Sequence, residues 1–235
     1  MSDPAEPRVE WLTVAGDADA WRSIGLTVTD DGMIPLVGTS IRLVELSGAG
    51  SDRTPGIIGW ALSGTPTPNS VPSVPDGGTQ ATEIVTEIDG SRDVDGLSTE
   101  IVDPATPTYA AHPIAAFGLD HVVVLTSDLE RTSEAITAAT GCELKRIREV
   151  GAMRQGFHRI GRGGLIVELV ERPDLPDGPA SFWGLVLIVD DLDAACELIG
   201  ADRISPPKDA VQPGRRIATV RGDVGLGLPV ALMSH

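Results

Sequence analysis

Apolar residues fall along this chain in short runs of strand length, broken by turn residues and by brief stretches of helical spacing. The clearest unit covers residues 117–172. FGLDHVVVL is a Val- and Leu-rich run that reads as a buried strand. Ser127, with Glu130 three residues on, forms a capping box and predicts a helix over 128–139. Leu129, Ile136 and Ala139 give that helix its apolar face, and Gly141 supplies the stop. ELKRIREV, RQGFHRIG and GLIVELVE then read as three strands joined by Gly-containing turns. The unit is strand, helix, strand, strand, strand.

Residues 181–235 repeat the pattern. FWGLVLIV is the strand, Asp190 the cap with Asp193 behind it, and DLDAACELIG the helix. Leu192, Ala195, Cys196 and Ile199 share one helical face, which makes Cys196 a core residue. GRRIATVRGD and GLPVALMS supply the closing strands. A weaker echo opens the chain: VEWLTVAG as strand, DADAWRSIG as a compressed helix, TSIRLVELSG as a late strand. GIIGWALSG resembles FWGLVLIV, but a Pro- and Gly-rich insert at 65–78 follows it in place of a helix. ATEIVTEIDG and GLSTEIVDP read as two further strands, and 104–115 as a linker. Trp11, Trp21 and Trp60 are expected as core anchors of this first half.

Composition narrows the classes. The formal charge is −16, which disfavours a surface that tracks phosphates and so excludes nucleic acid as the expected partner. Only Lys145 and Lys208 are lysines; the other cations are arginines, as in proteins of GC-rich bacterial genomes. Two cysteines, Cys142 and Cys196, make no disulfide framework. The first residues are acidic, and no apolar run reaches membrane-spanning length. A cytoplasmic protein with no membrane partner is the expectation.

Two residues break the apolar pattern. His121 lies in FGLDHVVVL and Glu168 in GLIVELVE, and ionisable groups in buried strands need pairing or a metal. Aligning the two units on SDL and DDL places Gly184 opposite His121 and Ala231 opposite Glu168. Neither can donate to a metal. In the first half, Glu10 and Glu45 fall opposite the pair.

LDHVVVLTSDLERT, LIVELVE, FWGLVLIVDDLDAA and QPGRRIATVRGDVGLGLPVALM together resemble the vicinal oxygen chelate superfamily. That superfamily includes glyoxalase I, methylmalonyl-CoA epimerase, extradiol dioxygenases and the bleomycin- and fosfomycin-resistance proteins. The resemblance implies an α+β fold of repeated βαβββ modules forming two tandem glyoxalase-like domains. A degenerate one covers 8–103, and a second covers 116–235 with modules 117–172 and 181–235. It further implies that the first and fourth strands of a module lie side by side, bringing His121 and Glu168 onto one concave face. In metal-dependent members these would be two ligands of a divalent ion (Zn, Ni, Fe or Mn). A third ligand would come from His158, Glu10, Glu45 or a second subunit, since relatives form homodimers.

Three function classes are carried forward. The first is a metal-assisted lyase, isomerase or oxygenase acting on a small oxygen-rich molecule, with His121 and Glu168 as metal ligands and catalytic groups. Without a metal, Glu168 is a candidate general base in an apolar cavity and His121 its orienting partner. The second is a metal-free binder of an apolar or anionic small molecule. The third is a docking remnant whose cavity is filled by side chains. Arg154, Trp183 and His158 are the candidate substrate contacts. Arg146 and Arg148, alternating on one strand, also suit an anion.

Overall fold

The apolar runs become strands paired in two mixed sheets, beside a separate two-stranded hairpin of short strands, in the computed structural model, which describes residues 6–48, 51–65, 91–106 and 108–235. The first half contains β1 (Arg8–Ala15), α1 (Ala18–Ser23), β2 (Met33–Ile34), β3 (Ser40–Val44), β4 (Ser47–Gly48), β5 (Ser51–Asp52), β6 (Gly56–Ser63), β7 (Ser91–Val94) and β8 (Leu97–Ile101). The second contains β9 (Ala116–Thr126), α2 (Leu129–Thr140), β10 (Arg146–Val150), β11 (Met153–Arg159), β12 (Ile166–Glu171), β13 (Ser181–Val189), α3 (Leu192–Ile199), β14 (Lys208–Asp209), β15 (Arg216–Thr219) and β16 (Val230–Ser234). The strand ATEIVTEIDG and nearly all of the Pro- and Gly-rich insert lie outside the described residues.

The second sheet runs β10-β11-β12-β9-β13-β16-β15-β14, and the first runs β2-β3-β1-β6-β8-β7. Each is built on a central antiparallel pair, β9 with β13 and β1 with β6. Each central strand is flanked by a parallel partner: β12 on β9, β16 on β13, β3 on β1, β8 on β6. First and last strands of a module are therefore neighbours, as the resemblance implies. Strand order and parity are those of paired βαβββ modules, complete in the second half and reduced in the first. Among the described residues, no helix lies between β6 and β7.

Register bears out the internal alignment of the two complete modules. Val123 pairs with Glu168 on one side and Gly184 on the other; Val186 pairs with Ala231 and His121. This reciprocal pattern is a two-fold relation in which Gly184 stands for His121 and Ala231 for Glu168.

Both long helices start one residue later than the sequence predicts. Asp128, not Ser127, caps α2 by accepting from Arg131 N at 2.9 Å, and Asp191, not Asp190, caps α3 by accepting from Ala194 N at 3.0 Å. Carboxylate caps also suit the positive helix end. Ser127 instead donates to Gly178 O at 3.1 Å. The short β14 was not foreseen, because KD within a Pro-rich loop carries no apolar signal.

The two sheets share one apolar core. Trp60 meets Phe182 edge-on at 5.6 Å, and Val37 bridges to Gly118. Trp21 and Trp60 are fully buried anchors, whereas Trp11 is only partly covered. His112, in the expected linker, is a structural residue: its Nδ1 accepts from Thr27 N at 3.0 Å and its Nε2 donates to Pro35 O at 2.9 Å. The β7–β8 turn locks the halves together. Asp95 accepts from Arg131 Nε at 2.8 Å and Thr132 Oγ1 at 2.5 Å, and its carbonyl accepts from Ala180 N at 2.7 Å. No helix among the described residues is long and apolar enough to cross a membrane.

Gly96, at φ +90°, follows Asp95 in this turn, and a Cβ there would sit 2.5 Å from Pro179 Cβ and 2.6 Å from Ala180 O. Gly96→Ala is therefore expected to destabilise the fold by roughly 2–4 kcal/mol, from overpacking plus a left-handed backbone that Ala resists. Denaturant unfolding of both proteins measures it.

Candidate active site

The site grows out of the parallel pairing of β9 with β12. Ile166 lies beside His121 and Glu168 beside Val123, so strand alternation turns His121 and Glu168 to the same face. There His121 Nε2 and Glu168 Oε2 stand 3.4 Å apart. They line a cavity of about 800 Å³, whose walls come from β10 and β11 on one side and the β14–β15 hairpin on the other. An open cavity of that size is inconsistent with the filled interior expected of a docking remnant.

Asp120 joins the pair through a local irregularity. Leu119 pairs with Leu187 and His121 with Val186, which leaves Asp120 as the extra residue of a β-bulge. In a regular strand, Asp120 and His121 would point to opposite faces. The bulge brings both to the cavity, and His121 Nδ1 lies 2.7 Å from Asp120 Oδ2. Arg215 Nη1 donates to Asp120 Oδ1 at 2.6 Å. Sequence reasoning passed over Asp120; the available signal was two polar residues in succession within an apolar run.

Charge is distributed unevenly across these groups. Burial pushes the Glu168 carboxyl above the usual range; the nearby charges of His121 and Arg148 only partly offset it. Burial also acts to raise Asp120, but hydrogen bonds from His121 and Arg215 outweigh it and leave Asp120 below the usual range. Asp120 is thus an ionised acceptor behind the imidazole, and Nε2 faces Glu168. Gln155 Nε2 donates to Glu168 Oε1 at 2.7 Å and orients the carboxyl.

Other expected site residues lie elsewhere. Arg154 faces α2, where it pairs with Glu130 and, at 3.0 Å, with Glu171; it does not line the cavity. His158 contributes to the wall, but its ring points to α2: Nδ1 donates to Cys142 O at 3.0 Å and Nε2 is 3.0 Å from Ser133 Oγ. The alternation that turns Phe157 inward turns both of these out. Trp183 is the extra residue of a bulge on β13, about half exposed and away from the cavity lining. Glu10 is likewise a bulge residue, buried and accepting from Ser63 Oγ at 2.5 Å; Glu45 lies exposed beyond β3. Register makes Trp11 and Arg42 the first-half counterparts of His121 and Glu168, with the Arg42 guanidinium 5.9 Å from the Trp11 ring.

A divalent ion held in an open catalytic site needs at least three convergent donors. The strands supply two, because Asp120 is engaged behind the imidazole and Gly184 and Ala231 occupy the opposing positions. No group of three His, Cys, Asp or Glu residues able to hold a metal occurs among the described residues. A Cβ on Gly184 would also meet Pro229 O at 2.7 Å, so that strand admits no ligand side chain as it stands. The residues present do not fit the ion that the resemblance implies.

What the cavity does gather is positive charge. Lys145, Arg146, Arg148, Arg159 and Lys208 all line it. The Arg146 guanidinium lies 4.7 Å from the Phe157 ring centre. Lys145 and Lys208, the only lysines, make no side-chain hydrogen bond or ion pair with any described residue.

No protein-family model matches this chain, and no curated protein does. Solved structures similar to it include methylmalonyl-CoA epimerase from Mycobacterium tuberculosis, 19% identical over 51% of this chain and 89% of that one, with a TM-score of 0.43. The Streptomyces coelicolor methylmalonyl-CoA epimerase in complex with 2-nitronate-propionyl-CoA is 20% identical over 49% and 95%, at 0.41. A hypothetical protein from Bacillus halodurans C-125 is 11% identical over 50% and 94%, also at 0.41.

Because the folded protein holds Glu168 above its ordinary range, ionising it costs stability, a cost absent below the unfolded pKa and incurred as pH rises through the folded one. Glu168→Gln should therefore melt at a higher temperature than the parent at pH 8. The gap should close near pH 4, about the ordinary range of a glutamate. Thermal melts across pH test this; a variant less stable than the parent at pH 8 contradicts it.

Proposed function

We propose that this chain binds a small, oxygen-bearing anion in the β9–β12 cavity and moves a proton on it, an isomerase- or lyase-type reaction in which Glu168 is the base. The observation that carries this reading is a largely covered carboxyl with raised basicity, 3.4 Å from His121 Nε2 on the wall of an open cavity. A base works best when its pKa approaches the working pH, and desolvation moves a carboxyl in that direction.

The chemistry can be written with this chain's own groups. A carbon acid beside a carbonyl enters the cavity, and Glu168 takes its proton. The C–H bond breaks, an O–H bond forms, and the electron pair passes into the carbonyl as an enolate. His121 Nε2 then accepts the proton from Glu168 Oε2, leaving an imidazolium beside ionised Asp120. Returning the proton to the same or another position completes an isomerisation; expulsion of a leaving group from the enolate completes an elimination. Arg148, close enough to influence Glu168, is placed to balance the developing negative charge.

Substrate charge is inferred from the cations. Acidic residues outnumber Lys and Arg by 34 to 18, yet both lysines face this cavity without an acidic partner among the described residues. Charges left unpaired in so acidic a chain suit a carboxylate or phosphate on the incoming molecule.

Proton NMR in D2O, with a panel of small oxo acids and acyl thioesters, reads exchange at the carbon beside the carbonyl. Exchange that Glu168→Gln slows about 100-fold or more supports the reading. Saturable binding with no exchange for any compound replaces it with the metal-free binder. Lys145→Ala with Lys208→Ala should raise the apparent KM about tenfold, an effect that 0.5 M salt reproduces in part in the parent. An unchanged KM for an anionic substrate removes the assignment of charge.

A further inference from the structure

Glu168 has a base's environment, but it needs a partner whose nitrogen is open to receive a proton, and nothing in an imidazole alone guarantees this. We infer that Asp120 and Arg215 are positioning residues that hold His121 as its Nδ1–H tautomer, keeping Nε2 open toward Glu168. The inference rests on the proton-transfer reading for its purpose, though its physical content is separately measurable.

Three observations carry it. The bulge at Asp120 departs from the regular ladder at the one place where it brings a carboxylate to the back of the His121 ring. Arg215 then leaves that carboxylate little freedom. Its Nη1 donates to Asp120 Oδ1 at 2.6 Å and to Gln212 Oε1 at 2.6 Å, while Nε donates to Ser234 O at 2.8 Å. Finally, both members are well covered, with side-chain exposures of 8% for Asp120 and 19% for Arg215. A solvated surface pair would gain little from such geometry.

The consequence concerns which proton sits where. A carboxylate only accepts, so its bond to Nδ1 requires a hydrogen there. In the neutral ring Nε2 then carries a lone pair, and any proton between Nε2 and Glu168 is additional to the ring's own. That proton can be lent and returned. Without Asp120, the ring's own hydrogen would settle on Nε2, point at Glu168 and occupy the acceptor. Arg215 links this state to the cavity wall, because Gln212, which it also holds, lines the cavity from the β14–β15 hairpin.

Nitrogen-15 NMR of histidine-labelled protein, recorded without substrate at a pH where the ring is neutral, reads the tautomer directly. His158 also bonds a carbonyl through Nδ1, so the His121 signals are assigned by their loss in His121→Gln. The parent and Glu168→Gln are expected to show Nδ1–H at His121, and Asp120→Ala predominantly Nε2–H. Arg215→Gln should give a mixture. In any substrate exchange that is found, Asp120→Ala should lower kcat about tenfold or more, with KM within about twofold. A parent ring protonated on Nε2, or a folded Asp120→Ala that keeps Nδ1–H, overturns the inference. Should Asp120→Ala fail to fold, the parent tautomer and Arg215→Gln decide. Absence of exchange for every compound would sink the proton-transfer reading and leave the tautomer result to stand or fall separately.

Discussion

The parallel ladder between β9 and β12 is the constraint on which the site depends. It joins the first and last strands of one module through pairs 45 positions apart in the sequence, so that two runs with no local relation acquire a fixed register. A slip of one residue would turn Glu168 toward α2 and bury a carboxylate among aliphatic side chains. The helix, the two intermediate strands and the turns between them serve to return the chain to β9 at the right height. Hydrophobic burial on the helix-facing side selects that register: Val122, Val124, Val167 and Leu169 are all inaccessible to solvent. The cavity face inherits its geometry from the packing of the opposite face.

The two-fold relation between the modules clarifies what has been lost and what has been kept. One half of the symmetric site retains an imidazole and a carboxyl; the other has Gly184 and Ala231 in their places. The loss at Gly184 is not a simple vacancy, since the Pro229 carbonyl occupies the space where a side chain would begin. Charge on the half that carries the pair is answered from the other half, which supplies Arg215. Arg215 answers Asp120, Asp120 answers His121, and His121 faces Glu168. A linear chain anchored on one guanidinium is a different electrostatic object from a metal-ligand set, which would place several acceptors around one cation.

Much of the fold was legible because strand runs, Gly turns and helix faces repeat in the sequence with a recognisable order. The module order and the Gly184 and Ala231 correspondences follow from that repetition, whereas the side-by-side first and fourth strands follow from the family resemblance. Cap positions were off by one residue because Ser127-Asp128 and Asp190-Asp191 each offer two competent caps, and only the approach angle of the chain chooses between them. The site was half legible. His121 and Glu168 stand out as ionisable groups in apolar runs, a signal of burial that needs no tertiary knowledge. Arg154 and His158 misled because both occupy β11, where alternation relative to Phe157 decides which side they face. Asp120 was missed for a related reason: period-two reasoning sends it away from His121, and a bulge has no sharp sequence signature. For Glu10 the bulge shifts the true correspondence by one residue to Trp11, and the parallel register of β3 on β1 then gives Arg42 rather than Glu45.

The two lysines, without a partner among the described residues, have a consequence that extends beyond the cavity. At distances well beyond the screening length of about 8–10 Å in physiological salt, an approaching anion feels little of either field. Closer in, the acidic exterior repels any long polyanion that must touch many points of the surface at once. A compact anion, however, can sample the small basin around Lys145 and Lys208 without meeting the rest. On the proposed reading, this distribution of charge selects among anions by size as much as by sign.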